Sequence, residues 1–233
     1  MGLRFGLMTV QTPPYATLVE RWRRAEALGW DRIWVADHTP AQFPGAIAYE
    51  AYTLLAALAR ETSRVRIGAL VTPIAFRNPT MLAMSAITVD HISGGRLEVG
   101  IGAGGGDKDA KALGLDPWSP AEQVERLAEQ LAILDRALRG EPVDHAGTHY
   151  RAQVTFVAPV QRPRPPFMIA AQGPRTLRLV ARYGDAWNTL GGQPTWADRV
   201  STAEALASLG VRWSGSMPRA PRSAAIRRRS ADR

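Results

Sequence analysis

Short apolar runs rich in β-branched residues alternate along this chain with longer segments whose apolar residues recur at helical spacing. Parallel strands need a crossover between them, and a crossover helix must bury its apolar stripe on the sheet, so this alternation predicts a parallel sheet wrapped by helices. Leu3 to Val10 reads as a first strand, followed by a helix through Leu18, Trp22, Ala25 and Leu28 that ends at Gly29. Arg32 to Ala36 is a second strand, Tyr49 to Glu61 a helix, and Val65 to Val71 a third strand, apolar enough to be covered on both faces. A helix from just after Pro79 to about His91 is broken at Ser93-Gly94-Gly95 and leads to a fourth strand, Leu97 to Ile101, and then to a glycine loop. Pro120 opens a long helix with Val124, Leu127, Leu131, Leu134 and Leu138 on one stripe, and Gly140 ends it.

From Glu141 to Pro166 the periodicity is lost, which reads as an insertion carrying two short strands. Two further units follow: Phe167 to Ala171 with a helix over Arg175 to Tyr183, and Ala186 to Leu190 with a helix over Trp196 to Leu209. The expected fold class is α/β, a TIM (β/α)8-type barrel with about six βα units plus an insertion, C-terminally incomplete because closure takes eight. Residues 1–210 are expected to form the barrel domain. Residues 211–233 lack periodicity, carry two prolines and the cluster Arg227 to Arg229, and read as a basic, disordered tail left by truncation or frameshift in place of the last two units.

Charge and composition narrow the function classes. The net charge is +8, but the last 23 residues hold seven Arg and one Asp; subtracting that +6 leaves only +2 for the other 210. No nucleic-acid-binding face is therefore expected. There is no cysteine, which removes disulfides and thiol nucleophiles. No apolar run reaches the ~18 residues of a membrane span, and no secretory leader is evident, so a cytoplasmic protein without membrane partners is expected. No H-E-x-x-H spacing occurs, so no metal site is expected, and His91, His145 and His149 are read as structural.

Catalytic groups of a parallel barrel sit where strands hand over to loops, at their C-terminal ends. The second strand ends in Ala36-Asp37-His38. Imidazole titrates at about 6.5, so His38 is a candidate acid or base, with Asp37 orienting it; alternatively Asp37 caps the loop and His38 packs. The third strand ends in Val71-Thr72-Pro73 before Phe76-Arg77-Asn78-Pro79, where Thr72 offers a hydroxyl to a ring carbonyl unless the segment is only a proline-stiffened turn. Gly100 to Gly105 matches G-x-G-x-x-G, yet a long helix occupies the stretch where a dinucleotide fold needs its second strand and acid. The glycines are read instead as allowing close approach to a flat cofactor ring. Ala170-Ala171-Gln172-Gly173-Pro174 is a strand, turn and helix start suited to a phosphate, or simply a tight turn.

Together Ala36-Asp37-His38, Val71-Thr72-Pro73 with Phe76-Arg77-Asn78-Pro79, the run Ile92 to Gly104, and Ala170 to Asn188 resemble the luciferase-like monooxygenase family, especially its F420-dependent oxidoreductase branch, over about residues 3–208. The resemblance implies a deazaflavin or isoalloxazine ring at the barrel mouth, backed by a non-prolyl cis peptide near Ala69, Leu70 and Val71. It implies Asp37 and His38 beside that ring, contacts from Thr72 and from the backbone of Gly102, Ala103 and Gly104, and a phosphate-bearing tail held by Ala170, Ala171, Gly173 and Pro174. The cofactor so implied is F420, with FMN as the alternative. F420 would exchange a hydride with a small organic substrate; FMN would serve a monooxygenase fed by a partner reductase. A homo-oligomer is expected. In the family's sugar-phosphate dehydrogenases an acid and a tryptophan stand where this chain has Gly105 and Gln42, which argues against a glucose-6-phosphate-type substrate. The shortened barrel leaves a non-catalytic relic, or a subunit completed by another chain, as the alternative of another class.

Overall fold

The computed structural model describes residues 4–42, 49–104 and 107–189. Its elements run β1 (Gly6–Thr9), α1 (Tyr15–Ala27), β2 (Arg32–Val35), a 3-10 turn (Pro40–Gln42), α2 (Ala51–Glu61), β3 (Arg66–Ala69) and β4 (Thr72–Pro73). They continue with α3 (Pro79–Ser93), β5 (Leu97–Gly102), α4 (Asp107–Ala112), α5 (Pro120–Leu138), β6 (Val143–Ala146), β7 (Arg151–Val154), β8 (Phe167–Ala170), α6 (Pro174–Tyr183) and β9 (Ala186–Asn188). The principal sheet is parallel throughout, in the order β1-β2-β3-β5-β8-β9, with the two-residue β4 added beside β5. This is the expected α/β architecture, six barrel strands in sequential order. The helix expected over Trp196 to Leu209 and the basic tail lie outside the described residues.

Strand alternation divides the sheet into two faces. Ile33, Val35, Ile67, Ala69, Leu97, Val99, Ile101, Phe167 and Ile169 point to the helices and pack with Leu18, Trp22, Leu55, Leu58, Leu82, Leu131 and Leu134 in one core. The opposite face carries Arg32, Trp34, Arg66, Gly68, Glu98, Gly100, Gly102, Met168 and Ala170. Trp34 occupies much of that face. A Cβ on Gly6 would come 2.7 Å from its Nε1, and one on Gly68 2.6 Å from its ring, so the neighbouring strands yield space to the indole by being glycine there. Below it Glu98, 5% exposed, accepts from Arg32 and Arg66, which neutralise a carboxylate that burial alone would not tolerate.

The helix ends follow the expected chemistry. Gly29 takes a φ of +90° just past α1, Gly94 caps α3 in the left-handed region, and Ser119 caps α5 ahead of Pro120. The insertion is an antiparallel β6–β7 hairpin, as the two short strands anticipated. One element was not anticipated: α4 follows the glycine run directly, a six-residue helix, Asp-Lys-Asp-Ala-Lys-Ala, too short and too polar to show an apolar period.

Candidate functional site

The C-terminal ends of β2, β3, β5 and β8 gather most of the expected residues. The third strand leaves regular geometry at Ala69, and the Leu70–Val71 peptide is cis, a form essentially confined to proline elsewhere. It lies where the resemblance put it. The chain then rejoins the sheet as β4, Thr72 pairing with Ile101 and Pro73 with Gly102.

The strand-five glycines serve this bulge directly. A Cβ on Gly100 would stand 1.9 Å from the Ala69 carbonyl oxygen, and one on Gly102 would meet Val71 Cγ2 at 2.9 Å and Ala170 Cβ at 3.2 Å. At Gly100 and Gly102 the close approach is therefore to the chain itself, whereas the expectation from sequence is that the glycines admit a flat cofactor ring. Val71 and Ala170, both half-buried, close over the buried Gly102 and form an uncharged surface at the strand ends. Gly104, at φ +85°, turns the chain away beside Ala103, in a backbone conformation that L side chains rarely adopt.

Asp37 and His38 part company, contrary to the expected pair. Asp37 is 4% exposed, and its carboxylate accepts from Arg77 Nη1 (2.6 Å), Arg77 Nη2 (3.2 Å) and Thr72 Oγ1 (2.8 Å). Arg77 also reaches Glu50, whose carboxylate caps α2 through the amides of Tyr52 and Thr53, and it lies 5.0 Å over the Tyr52 ring. Burial pushes the Asp37 carboxyl up, with the Arg77 guanidinium and Thr72 hydroxyl pulling against it. Burial also depresses Arg77, but Asp37 and Glu50 outweigh it and its pKa is raised, so it remains a cation. Asp37 thus braces β2 to the α2 and α3 entrances, and Thr72, fully buried, spends its hydroxyl proton on that brace rather than on a ring carbonyl.

His38 turns elsewhere because consecutive residues at a strand end face opposite ways. Its Nδ1 lies 2.7 Å from Asp109 Oδ2, and Asp109 Oδ1 accepts from the Thr39 amide (2.9 Å) and hydroxyl (2.6 Å). The carboxylate against His38 is therefore Asp109, on α4. Spacing gave no hint of it, since 71 residues separate the pair and α4 has no sequence signature.

At the β8 end, Ala170 is part-exposed on the side of that surface. Ala171 is 4% exposed, its N–H bonded to the Asn188 carbonyl and its C=O to Trp187 Nε1, so its backbone holds β8 to β9. Gly173 and Pro174 open α6 with no side chain capping its N-terminus, an arrangement that accepts a phosphate. Gly105 lies outside the described residues, and no group of three or more metal-ligating side chains gathers among the described ones. His91 bonds the Ala158 carbonyl, while His149 faces Glu125 and His145 faces Glu129. A cavity of about 440 Å³ lies away from this mouth, beside β1 and α1, lined by Leu7, Thr9, Arg24 and Leu28.

With this geometry in hand, comparison with known proteins is decisive at family level: residues 3–214 match the luciferase-like monooxygenase family, and the chain belongs to it. It is 32% identical over 204 residues, 80% of its own length and 54% of the relative's, to a protein named as a coenzyme F420-dependent oxidoreductase in Mycobacterium tuberculosis. It is 31% identical over 175 residues, 72% and 45% of the two lengths, to 4-hydroxyprotoasukamycin monooxygenase from Streptomyces nodosus subsp. asukaensis. In fold it matches the coenzyme F420-dependent tetrahydromethanopterin reductase of Methanopyrus kandleri with a TM-score of 0.69 at 23% identity, covering 80% of this chain and 55% of the other. The chain spans about half the length of the curated relatives it matches.

Proposed function

We propose that this chain forms the cofactor-binding part of an F420-dependent oxidoreductase that moves a hydride between F420 and a small organic substrate. The observation that carries the proposal is the uncharged, half-buried surface of Val71 and Ala170 over Gly102, followed along the chain by the start of α6 at Gly173, which no side chain caps. When bound, the deazaflavin would supply the hydride chemistry. The protein's own part is to support the ring on that surface, with Ala69, Leu70, Val71 and the Gly102 to Gly104 backbone against it. Gly173 and Pro174 receive the tail, and His38 exchanges a proton with the substrate as hydride moves. No membrane or nucleic-acid partner is invoked; no helix among the described residues is long and apolar enough to cross a membrane.

The test is turnover of reduced F420 with a panel of small carbonyl compounds by the wild type and by His38→Asn. Loss of one proton-transfer group costs about 10²-fold or more in kcat, so that fall is expected with cofactor affinity unchanged. Full turnover by His38→Asn would contradict the assignment. The similarity to 4-hydroxyprotoasukamycin monooxygenase favours one second reading, an FMN-dependent monooxygenase supplied by a reductase. Oxygen uptake coupled to substrate consumption identifies that case.

A further inference from the structure

A histidine can exchange a proton through either ring nitrogen, and the group bonded to one nitrogen decides which. Asp109 meets His38 at Nδ1, 2.7 Å away, with its carboxylate 6% exposed. The same carboxylate is pinned at its other oxygen by both donors of Thr39, so three contacts fix it and it cannot swing away from the imidazole. Burial raises the Asp109 carboxyl, but the bonds from the Thr39 hydroxyl, His38 and the Thr39 amide outweigh this and hold it below the usual carboxylate range. An ionised carboxylate only accepts hydrogen bonds. Nδ1 must then carry a hydrogen, in the neutral ring as in the charged one.

We infer that Asp109 is a positioning residue that fixes His38 as the Nδ1–H tautomer, so that the lone pair of the neutral ring lies on Nε2. The inference rests on the assignment of His38 as the proton partner. It assigns α4 a role that its six residues would not otherwise suggest: the helix carries the orienting acid to the end of β2, and Thr39 aims that acid. Asparagine at 109 keeps an oxygen for Thr39 but can offer an amide N–H to Nδ1, which would invert the tautomer without removing the tie between the loops.

The experiment is a long-range proton–nitrogen NMR spectrum of the full chain, uniformly labelled with nitrogen-15, recorded well above the titration midpoint of the ring. The His38 resonances are those that vanish in His38→Asn. Wild type is expected to show His38 protonated at Nδ1, and Asp109→Asn to show it protonated at Nε2. A wild-type Nε2–H tautomer, or the same tautomer in both proteins, overturns the inference; if Asp109→Asn fails to fold, the wild-type spectrum alone decides. Kinetics with reduced F420 separate this from the assignment beneath it. Asp109→Asn should lose about 10²-fold or more in kcat while its Kd for F420 stays as in wild type, the signature of a wrongly oriented base. An inactive His38→Asn beside a fully active Asp109→Asn overturns the positioning role alone, whereas an active His38→Asn overturns the proton assignment and the positioning role with it.

Discussion

At the scale of single residues, Asp37 and His38 show how far adjacent side chains can diverge in purpose. Asp37 is buried against Arg77 and Thr72, so Asp37→Asn leaves a buried guanidinium with one carboxylate fewer. Breaking such a pair costs several kcal/mol; with Glu50 still present we expect about 2–3 kcal/mol, read by urea unfolding. A purely catalytic Asp37 would lower turnover and leave stability unchanged. Gly100→Ala drives a methyl group to 1.9 Å from the Ala69 carbonyl. Overpacking costs about 1–3 kcal/mol or more, and displacement of the Leu70–Val71 segment should weaken cofactor binding alongside the fall in the unfolding midpoint. The strand ends at Asp37-His38 and at Thr72-Pro73 were legible from turn chemistry, whereas the cis linkage within Ala69 to Val71, in a stretch that reads as plain strand, was anticipated only through the family resemblance. Asp109 was not, since nothing local distinguishes an acid that acts across 71 residues.

At the scale of elements, caps and long amphipathic stripes were readable, and short polar pieces were not. The α5 stripe of Leu127, Leu131, Leu134 and Leu138 is fully buried, and its capping serine and first-turn proline stand where helix chemistry requires. α4 escaped notice because six residues, four of them charged, carry no apolar period. The β6–β7 hairpin was legible as an interruption, but not its fastening. Glu129 of α5 accepts from the amides of Thr148, His149 and Tyr150 and faces His145. Burial raises Glu129, but these bonds outweigh it and its carboxyl lies below the usual range. A carboxyl lowered in the folded state contributes fully above its unfolded value, about 4.3, and loses that contribution as pH falls through the lower folded value. Glu129→Gln should therefore destabilise the protein by about 1–2 kcal/mol at pH 7, with the difference from wild type narrowing below about pH 4. Paired melting curves across that range check it; a gap that widens in acid would contradict the sign.

At the scale of the whole molecule, the alternation of strands and helices led to the correct sheet because each unit packs on the one before it. Register and the two faces followed from β alternation once the sheet existed, but the exchange of space between Trp34 and its flanking glycines crosses three strands and has no local mark. Among the described residues β1 and β9 are the sheet edges. α3 is apolar on two sides: Leu82, Ala83, Ala86, Ile87 and Val89 are buried in the core, while Met81, Met84 and Ile92 are 54%, 51% and 37% exposed. Large apolar side chains exposed together on one helix mark a face suited to being covered. Light scattering should thus give a multiple of the 25.4 kDa chain mass, and Met84→Glu should shift it toward one copy; a wild-type monomer would contradict this.

Cofactor binding is read by fluorescence titration of F420, and separately FMN, into the full chain and into Ala170→Glu, which places a charge at the β8 end. Saturable binding by the wild type, weakened about tenfold or more in Ala170→Glu with an unchanged melting temperature, is the predicted result, since an unpaired charge against an apolar ring face is costly. Absence of wild-type binding to both cofactors, or affinity undiminished in Ala170→Glu, would contradict it.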